Sequence, residues 1–262
     1  MELRYNRTMF KAPIDMIASI GRAALFLGDV LGVIVRGRVR WGEVFKEVYV
    51  QGVQSLGIVI LASLASGAVL AMQSRVALER FGAKEVMAQM VALSLVRELS
   101  PVFTALVFSG KSGAGVASEL ATMSVNNQVL ATRTLGVDPV GFLIVPRMLA
   151  CIMVLPILVV VSGLTGILGG YLIGVGEANI LSSSYIRQTI EAIGYQDFFC
   201  GFIKVFFFAF FIGWICCFKG FFTSGGSLGV GRSTTQAVAA CYISVIVSNT
   251  ILTKLILTLW GS

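Results

Sequence analysis

The sequence has no histidine, and only 5 prolines, 5 cysteines and 13% charged residues in 262 positions. Without histidine the chain lacks the commonest general base and a common metal ligand. Cys151, Cys200, Cys216, Cys217 and Cys241 all fall in apolar segments with no C-x-x-C spacing. Neither a zinc site nor a disulfide framework is therefore expected, and the five read as small buried hydrophobes. No nucleophile is paired with a general base, which points away from an enzyme. So little charge, against 56% hydrophobic residues and a mean hydropathy of +0.89, also excludes an ordinary soluble domain. The expected fold is all-α: a polytopic membrane helix bundle with an N-terminal interfacial helix and about five transmembrane helices.

The net charge of +7 is unevenly placed, with eight of the twenty Lys and Arg before residue 47. Clustered ahead of the first long apolar run, they read as a cytoplasmic anchor on anionic lipid. No basic stripe with interleaved aromatics follows, so nucleic acid is not an expected partner. No processing site follows the charged N-terminus, and the spans themselves are expected to direct insertion.

Taken in order, residues 1–50 form a basic segment and an interfacial helix, and 51–262 form the transmembrane domain. From Asp15 to Arg36, Ile17, Ile20, Ala24, Leu27, Leu31 and Ile34 repeat at helical spacing, with Phe26 and Val33 off that face. An interfacial helix fits better than a short first span. Spans are expected at about 51–73, 91–120, 143–175, 197–218 and 237–260. The loop at 74–90 has nearly balanced charge. Ser162, Gly166, Gly170 and Gly174 recur every four residues and predict close helix packing. Arg147, at the inner end of the third span, is placed to snorkel. Lys204 stands alone in the aromatic fourth span and must either snorkel or meet a negative group such as Glu98 or a lipid phosphate. The glycine-rich stretch 219–236 predicts a tight turn. The N-terminal basic cluster, Arg133, Arg147, Lys219 and Arg232 fall on one side of five spans, which puts the N-terminus in the cytoplasm.

Residues 94–139 organise the rest. Arg97, Glu98, Lys111 and Glu119 lie inside or beside an apolar run, which then breaks into an Asn-rich segment ending at Asp138-Pro139. Ionisable groups are costly in hydrocarbon and usually face a bundle interior or a cavity. Arg97 and Glu98 either line such a cavity or end the span near the headgroups, and Pro101 can kink the helix beside them. Ala105 to Ser112 (ALVFSGKS) fits a loose nucleotide-binding pattern, but a P-loop needs a strand before it, and this segment lies in a membrane helix.

The order R-E-L-x-P, G-K-x-G-x-x-x-x-x-E-L-x-T-M, Q-x-x-A and L-G-V-D-P resembles the MlaE/YrbE permease family. These are membrane subunits of ABC transporters that work with MCE proteins on lipids. A G-G-x-x-G-V-G-x-S-T-T pattern at Gly225, Gly226, Gly229 and Gly231 is similar to the family's as well.

The resemblance implies a homodimeric permease of the bacterial inner membrane, bound to cytoplasmic ABC ATPase subunits and an MCE-domain protein. It would move phospholipid or a related lipid, and residues 176–196 would either connect or contact the MCE partner. Arg97, Glu98 and Lys204 would meet the headgroup, and Leu70 of the first span the acyl chains. The coupling helix to the ATPase would lie at about 124–135, including Ser124, Asn126, Asn127, Gln128 and Leu135. Asn126-Asn127-Gln128 replaces the family's usual Thr-Glu-Gln, and Asn249 stands where relatives often have Asp. A secondary transporter or channel driven by an ion gradient is the alternative.

Overall fold

A computed structural model describes residues 21–260 apart from 38 and 179. Among the described residues eight helices follow one another. α1 covers residues 21–35, α2 Trp41–Glu79 and α3 Met87–Val125. The short α4 is Gln128–Thr134, α5 is Val140–Gly176 and α6 is Ser182–Ala192. α7 (Tyr195–Phe221) and α8 (Gly226–Trp260) complete the chain. Five of these, α2, α3, α5, α7 and α8, are long and apolar enough to cross a membrane. The protein is an all-α, multi-pass membrane bundle.

The spans run past the ranges read from hydropathy because the charges at their ends find partners. α2 continues back through Glu47 and forward through Arg75. Glu47 lies 3.3 Å from Arg147, and Arg75 lies 3.4 Å from Glu177. The loop expected at 74–90 shrinks accordingly, held by a Lys84–Glu79 contact of 2.6 Å. These pairs also fix the topology. Glu47, Glu119 and Arg147 share one end of the bundle with α1, α4 and the α7–α8 turn, called here the basal end. Arg75, Glu177 and α6 mark the distal end.

Arg147 does not snorkel. Its side chain is 7% exposed, with Nη2 3.0 Å from Glu119 and Nη1 donating to the Leu143 carbonyl at 2.8 Å. Its Nε lies within ion-pair distance of Glu47 but is not aligned for a hydrogen bond. Gln51 donates to the Arg147 carbonyl at 3.4 Å, so α2, α3 and α5 meet in one polar knot. With two acids facing it, the guanidinium is better satisfied inside than at the headgroups.

The small-residue face of α5 meets α2. Ser63 and Ser162 share a hydrogen bond of 2.7 Å. A side chain on Gly67 would overlap the Gly166 carbonyl, and one on Gly169 would overlap that of Leu64. Backbones this close are the small-xxx-small mode of association. The same face carries on into the distal cap, where the buried Tyr185 ring of α6 packs against Gly170 and Gly174. That burial pushes the Tyr185 phenol up to about 12.

α1 packs with a face rotated from the one its periodicity suggested, with Leu27 and Ile34 of that face partly buried at its edge. Phe26, Val30 and Val33 are buried, whereas Leu31 is exposed. Phe26 sits within 6 Å of the rings of Phe218, Phe221 and Phe222. A helix apolar on more than one side can give its aromatic face to the bundle and leave the other to lipid, and hydrophobic spacing alone does not say which. Ile17 and Ile20 lie outside the described residues.

The glycine-rich return is also shorter than expected. α7 runs to Phe221 and α8 starts at Gly226, so the turn itself occupies 222–225. Gly225 and Gly226 take φ of +95° and +66°, which the turn requires. Gly229 and Gly231 belong to α8.

Candidate functional site

The candidate site lies toward the distal end, where α3 is not a regular helix. Residues Leu95–Leu99 form a π turn, and Ser100 donates to the Leu95 carbonyl five residues back. Such single-turn widenings are frequent at functional sites. Here the cause is local. In an α-helix the Arg97 carbonyl would accept from residue 101, which is proline and has no N–H.

Lys204 of α7 fills that vacancy. Its ammonium donates to the Arg97 carbonyl at 3.3 Å, to Glu98 Oε1 at 2.6 Å and to Thr253 Oγ1 at 2.8 Å. All three ammonium protons thus have acceptors, and the side chain is 2% exposed. On the other side of the carboxylate, Asn249 Nδ2 donates to Glu98 Oε2 at 3.2 Å, and Thr253 donates to Oε1 at 3.2 Å. One turn of α8 therefore supplies two partners to an acid–base pair held between α3 and α7. The Asn249 carbonyl oxygen is buried without a partner.

Arg97 points the other way along the same turn. Its Nε lies 3.0 Å from Asp197 Oδ1, and Asp197 Oδ2 accepts from the Gly194 N–H at 3.1 Å. Asp197 thus caps α7 and pins Arg97 at once. The four charges balance as two pairs. A cavity of about 290 Å³ opens against them, with Arg97, Glu98, Lys204 and Thr253 on its polar wall and Leu93 and Leu257 on its apolar one. A separate pocket of about 140 Å³, between α3, α5 and α7, is lined by Val159, Leu164, Phe198 and Phe202 and is almost wholly apolar.

Of the residues singled out from the sequence, Arg97, Glu98 and Lys204 come together. Leu70 does not join them; it is half-buried against the distal cluster that includes Ala71 and Tyr185. The site also contains Thr253 and Asp197, which sequence reasoning missed. Asp197 carried a signal: it is the last acid in the chain, placed at the first turn of a span opposite Arg97. Thr253 carried none, being one of several hydroxyls in a polar-dotted final helix.

The expected coupling segment resolves into parts. Ser124 belongs to the end of α3 and donates to the Phe221 carbonyl at 3.0 Å, tying α3 to the α7–α8 turn. Asn126 and Asn127 form the bend, with Asn127 at φ +58°. Gln128 begins α4, no residue of α4 is buried, and Leu130 and Leu135 stand 58% and 80% exposed. Lys111 sits in a second π turn, Ser109–Gly113, and faces outward with no ion-pair partner among the described residues.

Five long apolar helices, three of which hold an acid–base pair beside a cavity, define a polytopic membrane protein with a polar site among its spans. Residues 44–255 match the family described as Permease MlaE, and the chain belongs to that family. It is 37% identical over 256 residues to a protein of Rickettsia typhi named "Probable ABC transporter permease protein", covering 98% of this chain and 99% of that one. It is 34% identical over 256 residues to the "Intermembrane phospholipid transport system permease protein MlaE" of Haemophilus influenzae, covering 97% and 98% respectively. A Synechocystis relative, also named "Probable ABC transporter permease protein", is 34% identical over 228 residues, 87% of each chain.

Proposed function

We propose that this chain is the permease subunit of an ABC transporter that moves phospholipid or a related lipid between the inner membrane and the outer envelope. A separate cytoplasmic ATPase supplies the energy, and the chain itself makes no covalent chemistry. The observation that carries this reading is the Glu98–Lys204 pair, shielded by Asn249 and Thr253 and open to a cavity. The name of the Haemophilus relative supports the lipid class.

The cavity, polar on one wall and apolar on the other, suits an amphipathic cargo. A headgroup phosphate entering the cavity would meet Arg97, behind which Lys204 holds Glu98 in place, while Leu93, Ile256 and Leu257 on the apolar wall would take part of an acyl chain. Leu70 would add to the acyl-chain wall from the side it leaves outside the distal cluster. Two copies would assemble as a homodimer, bringing the exposed apolar faces of α2 and α8 out of lipid.

The basal end would face the cytoplasm with the N-terminus, and α4 would enter a groove of the ATPase, with Leu130 and Leu135 as its apolar knobs. Ser124, Asn126, Asn127 and Gln128 hold the bend that presents it. An MCE-domain protein would receive lipid at the distal end.

Purification of the tagged chain from its native membrane in mild detergent, with mass spectrometry of bound protein and lipid, tests the assembly. Co-purifying ABC ATPase, MCE protein and phospholipid are expected. A chain that comes away with none of them, under conditions that preserve a known ABC complex, would contradict it.

A further inference from the structure

The α7–α8 turn closes a cavity of about 410 Å³ at the basal end. Its wall carries Arg22 of α1, Lys219 of α7 and Arg232 of α8, with the hydroxyls of Thr223, Ser224 and Ser233 between them. No acidic side chain lines it among the described residues. The charge is unbalanced along the chain too, since residues 198–262 contain no Asp or Glu at all. The Lys219 ammonium has one partner among the described residues, the neutral Gln236 at 3.5 Å, and the Arg232 guanidinium has none. Thr223 and Ser233 spend their hydroxyl protons on the Lys219 carbonyl. Two cations and the Ser224 hydroxyl, with no counter-charge among the described residues, remain as the makings of an anion site, to which the first turn of α8 adds its N–H groups.

The position says which anion. The cavity sits where two of the long apolar helices end, and Phe222 and Leu228 in its wall are 49% and 77% exposed. We propose that this cavity binds the phosphate of an anionic phospholipid in the basal leaflet, with the acyl chains against Phe222 and Leu228. The site is separate from the Glu98–Lys204 cavity. Lys219 lies 15 residues beyond Lys204 on the same helix, about 22 Å along its axis. It holds a lipid whether or not the chain transports one.

All five native cysteines are buried, so a fluorophore on Ser227→Cys, at the exposed start of α8, reports on this cavity alone. The detergent-purified full chain is titrated with dioctanoyl phosphatidylglycerol, dioctanoyl phosphatidylcholine and inorganic phosphate. The anionic lipid should shift the emission and the zwitterionic lipid should not. At about fivefold for each cation near a lipid surface, Lys219→Gln with Arg232→Gln should weaken binding on the order of 30-fold. The charge-preserving Lys219→Arg, Arg232→Lys pair should bind as the parent does.

Failure of inorganic phosphate at millimolar concentration to compete assigns the site to a lipid headgroup. Competition by it supports the phosphate site with a free anion as its source. Should the double variant fold poorly, Arg232→Gln alone, at an exposed position, must still cost about fivefold. Equal response to both lipids, or unchanged binding in the Gln variants, overturns the proposal and leaves the transport reading untouched.

Discussion

Lys204 donates to the backbone carbonyl of Arg97, an acceptor that Pro101 leaves without its α-helical partner. The π turn and the buried ammonium are thus one device. The widened turn exposes a carbonyl, the lysine satisfies it, and the same lysine holds Glu98 against the cavity. Pro101→Ala restores an N–H that competes for that carbonyl. It should leave thermal stability unchanged or raised while lowering lipid transfer several-fold, measured by melting in detergent and by vesicle assay.

Lys204→Met removes the cation and leaves Glu98 facing the cavity unpaired. Half of the pair is worse than none in a low-dielectric interior, though the carboxylate's partial exposure softens the loss. Lys204→Met should destabilise the chain, and adding Glu98→Gln should recover about 1–3 kcal/mol of that loss without restoring transport. A double-mutant cycle by chemical denaturation checks the coupling, which should be near zero if the two residues act independently.

Gly67→Ala pushes a methyl into the Gly166 carbonyl. With backbone rather than a flexible side chain in the way, α2 and α5 must separate, at about 1–3 kcal/mol. Gly57→Ala is the control: nothing lies within 4 Å of its added methyl, so it should be neutral or stabilising by up to about 1 kcal/mol. Both are read from melting curves, and equal shifts would argue against the close contact.

How much of this was legible beforehand depended on whether a feature is local. The five spans, the tight face of Ser162, Gly166, Gly170 and Gly174, and the trio of Arg97, Glu98 and Lys204 all follow from hydrophobicity and the cost of charge in lipid. Arg147 was misplaced because snorkelling is judged from one helix, whereas its two acids come from α2 and α3. The packed face of α1 was misjudged for the same reason, since Phe26 is an irregularity in a spacing pattern but the anchor of an aromatic cluster with α7. Thr253 became part of the site only through its register against Glu98, which no pattern within α8 encodes.

Asn127 holds a left-handed conformation at the bend before α4, with φ +58°. Asn127→Gly should keep that bend and leave ATPase association intact. Asn127→Val should cost about 1–2 kcal/mol locally and reduce the ATPase recovered by co-purification. Equal recovery from both variants would separate the bend from docking.

Lipid handling by the Glu98–Lys204 site is what an ATP-driven permease requires of this chain. The most direct measurement is ATP-dependent transfer of labelled phospholipid by the complete complex in vesicles, comparing the parent chain with Glu98→Ala at equal assembly. The variant complex should stay intact and hydrolyse ATP while transfer falls at least tenfold. Transfer at the parent rate by an intact Glu98→Ala complex would contradict it.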